Sequence, residues 1–313
     1  MKTLTIIIPE RMSGNRLDAS LSEMLPDHSR SKISAWIKSG DALINQKFFK
    51  PKDKSYGNEI VYLTFNQKQT NDWIAEKIPL NVVYEDEDII VINKQSGLVT
   101  HPGAGNWTGT LANALLYYDS DLSKLDRAGI VHRLDKNTSG LMVIARNEKS
   151  QKYLVEQLQS HLVEREYSAI VYGHMIAGGT VDEPIGRDPR DRVKQAVLTS
   201  GKEARTHYRA IDRFKSHTHV KAILETGRTH QIRVHLSYVG HSLIGDPMYG
   251  GRVRFPKKAS EELKDALLNF KRQALHSKKL TLIHPISGES MSWKIPLPDD
   301  MAELLEVLKK CDS

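Results

Sequence analysis

Apolar residues come in short clusters along this chain, some alternating and some at helical spacing, which predicts both strands and helices. Residues 4–8 read as a strand. Leu17, Leu21, Met24 and Leu25 then keep a helical period until Pro26 closes the segment. A second helix turns Ile33, Trp36 and Ile37 inward, crowds Ser29, Arg30, Ser31 and Lys32 into its first turn and ends at Gly40. A strand at 42–44, a turn at Asn45 and Gln46 and a strand at 60–64 complete a small module. The polar stretch 66–72 breaks every periodicity and reads as a linker.

Strand patterns dominate beyond it. Residues 82–84 and the fully apolar 89–92 flank an acidic turn, and 111–118 reads as a helix. Ile130 and Val131 lead into a polar loop at 132–140, and an apolar run resumes at 141–145: strand, loop, strand. Asn147 can cap a helix carrying Tyr153, Leu154, Leu158 and Leu162 on one side. Residues 167–172 alternate, with Tyr167, Ala169 and Val171 on one face and Ser168, Ile170 and Tyr172 on the other. A hairpin-like insertion at 178–201 carries Arg187, Arg190, Arg192 and Lys194, and further strands fall at 206–211, 220–226, 279–283 and 291–294. Thr229 starts a helix with Ile232, Leu236 and Val239 in its stripe, Arg233 on its flank and Gly240 at its end. The expected fold class is α+β: a small α/β module, then a mixed, mostly antiparallel sheet with flanking helices.

Composition narrows the chemistry. With 313 residues, two domains are expected. The net charge of +7 suits a polyanionic partner without demanding one. Cys311 is the only cysteine, so no disulfide framework exists. No apolar run is long enough for a membrane span or signal peptide, so a cytoplasmic protein with no membrane partner is expected. His230 and His235 are five apart and cannot share a metal from one helix face, and no phosphate or dinucleotide glycine pattern appears. Neither metal nor cofactor is expected.

The decisive stretch is 129–145, GIVHRLDKNTSGLMVIA. Taken alone, Asp135 could be a turn residue bonding its own backbone, or a carboxylate presented into a cleft. HRLDKNTSG, however, resembles the HRLDxxTSG signature of the RluA-type pseudouridine synthases. NKQSG from Asn93 with HPG from His101, REYSAIVYG from Arg165, TGRTHQIRVHL from Thr226, GDPMYGG from Gly245 and RQALHS from Arg272 resemble that family in the same order.

The resemblance implies three segments: 1–65, similar to the RNA-binding domain named after ribosomal protein S-four; a linker at 66–79; and a catalytic domain at 80–313. Asp135 is then the nucleophile, with attack on the base, attack on the sugar and an elimination route all open. Arg233 would lie against it and favour the carboxylate form. Tyr167 would stack on the flipped uracil, its hydroxyl being a poor base near neutrality. Arg133 would enter the RNA helix or touch phosphate, and Leu275 would wall the base pocket. His132, Arg228 and His230 complete the substrate-binding set, His132 shaping the loop rather than reacting. Arg30, Lys32, Lys38, Arg190 and Arg192 would bind RNA, and the loop 250–258 is either a clamp on it or a disordered charge run. The implied partner is ribosomal RNA, in the large subunit or its assembly intermediate, met by a monomer. The implied target is the helix 69 stem-loop of 23S RNA. Other rRNA or tRNA uridines, or a non-catalytic assembly factor, are the alternatives.

Overall fold

Ile8, Leu17, Leu21, Ile33, Ile37, Ile44, Val61 and Leu63 are all sequestered in one small core, which accounts for the spacing of the first sixty or so residues. The computed structural model describes residues 2–26, 28, 30–65, 73–103 and 105–312. It divides into two units, Met1–Gln69 and Thr70–Ser313. The first has β1 (Lys2–Ile7), α1 (Leu17–Met24), α2 (Arg30–Ser39), β2 (Ala42–Ile44) and β3 (Ile60–Phe65), its antiparallel sheet ordered β1-β3-β2. Asn45 and Gln46 both take positive φ, 48° and 60°, as a two-residue hairpin turn requires.

Arg30 departs from expectation. Its guanidinium folds back onto Asp18 of α1 at 2.7 Å, beside Arg16 at 2.8 Å, so it serves a buried carboxylate as well as facing solvent. Those two bonds, against the opposing effect of burial, bring Asp18 down to about 2. Lys38 is exposed. The Lys32 side chain lies outside the described residues.

The second unit contains β4 (Val82–Glu85), β5 (Ile89–Lys94), α3 (Leu111–Tyr118), β6 (Ser139–Ala145), α4 (Glu148–Gln159), β7 (Glu164–Tyr172) and β8 (Gly179–Asp182). There follow β9 (Ile185–Arg187), β10 (Gln195–Val197), β11 (Arg205–Arg213), β12 (His217–Leu224), α5 (Gln231–Tyr238), α6 (Glu261–Asn269), β13 (Leu275–Ile283), β14 (Ser290–Lys294) and α7 (Asp299–Cys311). A nine-stranded sheet runs β4-β5-β6-β13-β7-β12-β11-β8, with β14 also on β13. Only β13 against β6 is parallel, so the sheet is mixed and mostly antiparallel, as expected. β13 is the keystone: its first residues join the β4–β6 half to the half built on β7.

Alternation along β7 sorts its side chains as the pattern predicts. Tyr167, Ala169 and Val171 join the core containing α3 and α5 residues, while Ile170 and Tyr172 pack with Leu263, Leu267, Met301 and Leu304 of α6 and α7. Three expectations are corrected. Residues 73–79 are not linker: Trp73 and Ile78 pack on the core, and Asn113 Nδ2 donates to the Ile74 carbonyl at 2.7 Å. Ile130 and Val131 form no strand, only one bridge from Ile130 to Ile144. α5 begins at Gln231 rather than Thr229, because His230 takes a left-handed φ of 58°. Helices α6 and α7 were not anticipated.

Candidate active site

Asp135 sits on a loop anchored from three directions. Thr100 Oγ1 donates to the Leu134 carbonyl at 2.7 Å, and Gln273 Nε2 donates to Thr138 Oγ1 at 3.0 Å. Lys94, almost fully buried, donates to the carbonyls of Gln95, Leu98 and Lys136 at 2.9, 2.9 and 3.1 Å. Burial pushes its ammonium down to about 7, with Asp135 pulling the other way. His132 accepts from the Val143 N–H at 3.1 Å, which braces the imidazole on β6. Burial brings that imidazole down to about 3, so it is neutral and shapes the loop. Gly140, at φ 118°, lies against the backbone of Ser277, where a Cβ would collide with β13.

Arg233 reaches this loop from α5. Its Nη1 donates to Asp135 Oδ2 at 3.0 Å, while Nε and Nη2 make a bidentate pair with Asp246 at 2.8 and 2.9 Å. Asp246 is buried and also accepts from the Met248 and Tyr249 N–H groups. Burial disfavours the Arg233 charge, but the two carboxylates outweigh it and its pKa is raised. The Tyr249 ring lies 5.0 Å from the guanidinium carbon, and Tyr249 Oη is 2.9 Å from His230 Nδ1. His230 Nε2 in turn lies 3.8 Å from Asp135 Oδ1.

These groups open on a cavity of about 540 Å³. Asp135, Tyr167, Arg233 and Leu275 line it, and so do Arg133, His132, Arg228 and His230. The structure therefore brings together every residue the motifs nominated for catalysis and substrate binding. Tyr167 is only 5% exposed, and burial raises its pKa, with the nearby Arg165 opposing. Its hydroxyl stays protonated at neutral pH, and its ring lines the cavity from β7 beside Leu275 of the neighbouring β13. An acidic oxygen held by a guanidinium, an aromatic face and an aliphatic face form a pocket for a planar polar ring.

A family described as RNA pseudouridylate synthase matches residues 88–238, which hold the whole Asp135 loop and Arg233. "Ribosomal large subunit pseudouridine synthase D" of Escherichia coli O157:H7 is 53% identical over 307 residues, covering 98% of this chain and 94% of that protein. The protein of the same name from Xanthomonas campestris pv. campestris is 48% identical over 304 residues, covering 97% of this chain and 92% of its own. The chain belongs to the RNA pseudouridylate synthase family. It is a pseudouridine synthase, an isomerase. Among solved structures, "Human RNA Pseudouridylate Synthase Domain Containing 4" superposes with a TM-score of 0.57 at 26% identity, over 73% of this chain and 93% of that one. "Human RNA Pseudouridylate Synthase Domain Containing 1", at 23% identity over 76% of this chain and 98% of that one, shares the fold with a TM-score of 0.55.

The synthase carries further features around the pocket. Arg190 and Arg192 are exposed in the β9–β10 turn, which the Asp188 and Asp191 carboxylates fold by accepting backbone N–H groups. A second cavity of about 470 Å³ meets the first at Gly227, Arg228 and Thr229 and adds Arg187 and Lys202. In the 250–258 loop, Arg254 is tied down, donating to Ser242 Oγ at 2.6 Å with its guanidinium carbon 4.6 Å from the Tyr172 ring centre. Sequence spacing gave no sign of the Asp86, Asp88 and His284 cluster. His284 Nδ1 there accepts from the Ile286 and Ser287 N–H groups and Nε2 faces Asp86 at 3.0 Å, so hydrogen bonds account for it. His230 and His235 are separately engaged, His235 by Thr206 Oγ1 and the Glu183 carbonyl. The motifs also gave no role to Asp246, Lys94 or Arg165, although all three lie in quoted segments. Among the described residues no helix is long and apolar enough to cross a membrane.

Proposed function

We propose that this synthase isomerises specific uridines of large-subunit (23S) ribosomal RNA, in the helix 69 stem-loop, with Asp135 as the nucleophile. The observation that carries the assignment is the Asp135 carboxylate, 3.0 Å from Arg233, in a cavity walled by Tyr167 and Leu275. The relatives, ribosomal large subunit pseudouridine synthases by name, supply the RNA. The reaction breaks the bond from ring nitrogen to ribose, turns the uracil and rejoins it through carbon; that carbon gives up its proton and the freed nitrogen takes one. No atom is gained, so no cofactor is needed. Attack on the ring, attack on the sugar carbon and removal of a ribose proton all start from a carboxylate oxygen at this place. Tyr167 stacks on the flipped uracil and, being protonated, supports proton transfer as a donor. Arg133 takes the strand beside the extruded nucleotide. The first unit, similar to the S-four RNA-binding domain, grips flanking RNA through Lys38 and its basic neighbours, and Arg190 and Arg192 extend the positive surface. The protein works as a monomer in the cytoplasm, on the large subunit or its assembly intermediate.

Asp135→Asn tests the nucleophile. Tritium release from ring-labelled uridine in 23S RNA is expected to vanish while RNA affinity stays within a few-fold; an active variant refutes the assignment. Mapping pseudouridines in rRNA from cells lacking the protein tests the target. Helix 69 should lose them, and a map with helix 69 intact would move the assignment elsewhere.

A further inference from the structure

Arg165 is a buried cation without an acid. It stands on β7 two residues before Tyr167, on the same face, and is only 5% exposed. Among the described residues no carboxylate lies within ion-pair distance of it. Nη2 donates to the Glu225 carbonyl at 3.2 Å, and among the described residues Nε has no partner. Arg233, equally buried, has two carboxylates. A guanidinium left unpaired away from water is costly, and folded proteins keep one where something else supplies the counter-charge. The side chain lines the same cavity as Asp135. Its Nη1 also crosses over Gly227, where a Cβ would come within 2.6 Å of it, so that glycine leaves the space the guanidinium occupies.

Resting on the RNA reading above, we propose that Arg165 is the seat of a backbone phosphate next to the uridine being isomerised. If uracil lies on Tyr167, a side chain two residues back along the strand is displaced by about 6.6 Å toward the adjoining backbone rather than onto the base. The guanidinium offers unbonded N–H groups there, and the fork geometry suits phosphate. Arg228, exposed at the junction with the second cavity, marks the side on which the strand leaves. The anion completes a hydrogen-bonding set that the folded protein leaves open, so the cost of burying Arg165 is recovered only when RNA is bound.

The test uses the full chain, Arg165→Met and Arg165→Lys, and a stem-loop RNA converted by the wild type, with a methylphosphonate replacing the phosphate on either side of the target uridine. Conversion of the unsubstituted stem-loop checks the RNA reading by itself; if the wild type fails there, that reading falls. For Arg165→Met we expect roughly ten- to hundredfold weaker binding of unsubstituted RNA. We expect the same loss when the wild type meets one of the two methylphosphonates, and no further loss when that RNA meets Arg165→Met. Arg165→Lys should recover part of the affinity. Thermal midpoints should be unchanged or higher, since methionine fills the site without a charge. Full sensitivity of Arg165→Met to both methylphosphonates would overturn the proposal. So would unchanged binding with a lower midpoint, or a loss confined to the single-turnover rate, which would direct the guanidinium to the reacting base.

Discussion

Arg233 is held by two carboxylates with unequal duties. Asp246 is buried, fixed by two backbone N–H groups, and grips the guanidinium along one edge, which leaves Nη1 directed at Asp135. Asp246→Asn keeps the shape and removes the charge. It should lower stability by about 3 kcal/mol, the usual cost of leaving a buried charge half-paired. It should also cut kcat at least tenfold with RNA affinity within a few-fold, because Arg233 loses its orientation. Unfolding curves and single-turnover rates check this, and an unaltered kcat would make Asp246 a stability device only. At this scale the sequence was informative where a motif names a residue: Asp135, Tyr167, Arg233 and Leu275 all reach the cavity. It was mute on Asp246, Lys94 and Arg165, whose importance lies in being charged and buried. Burial is a property of the fold, and no spacing announces it.

At the scale of elements, Asp18 ties α1 to the start of α2 through Arg30. Its folded pKa lies near 2, below the ordinary value of 3.8, so its contribution is complete above about pH 4 and is lost as pH falls toward 2. The half-exposed arginines reduce the amount to about 1–2 kcal/mol. Acid titration of the first unit should show that loss, and Asp18→Asn should flatten it; an unchanged profile would place the sensitivity elsewhere. Alternating strands such as β7 were readable because each face meets a different core. The start of α5 was misread because Gln231, not Thr229, organises the turn: its Oε1 accepts from Thr226 Oγ1 and the Arg228 N–H. α7 could have been read, since Met301, Leu304, Leu305 and Leu308 keep a helical period. Residues 73–79 lie beside a polar stretch, and only packing on a distant core separates them from it.

For the molecule as a whole, a net charge of +7 and exposed cations such as Lys38, Arg190 and Arg192 predict affinity driven by released counterions. The logarithm of the binding constant should fall linearly with that of salt concentration, by about 0.7–0.9 per neutralised phosphate. Filter binding across a salt series measures it, and a flat line would move the source of affinity away from phosphates. Charge-reversing Arg190 and Arg192 should shallow the slope.

The keystone position of β13 has a temporal meaning. Asp135 leads into β6 on one half of the sheet, Tyr167 stands on β7 in the other half, Arg233 comes from α5, and the strand that joins the halves begins only at Leu275. Translation therefore delivers the acid and its guanidinium long before the piece that unites them. A chain synthesised only as far as Leu275 carries the Asp135 loop and α5 without the strand that unites the two halves of the sheet.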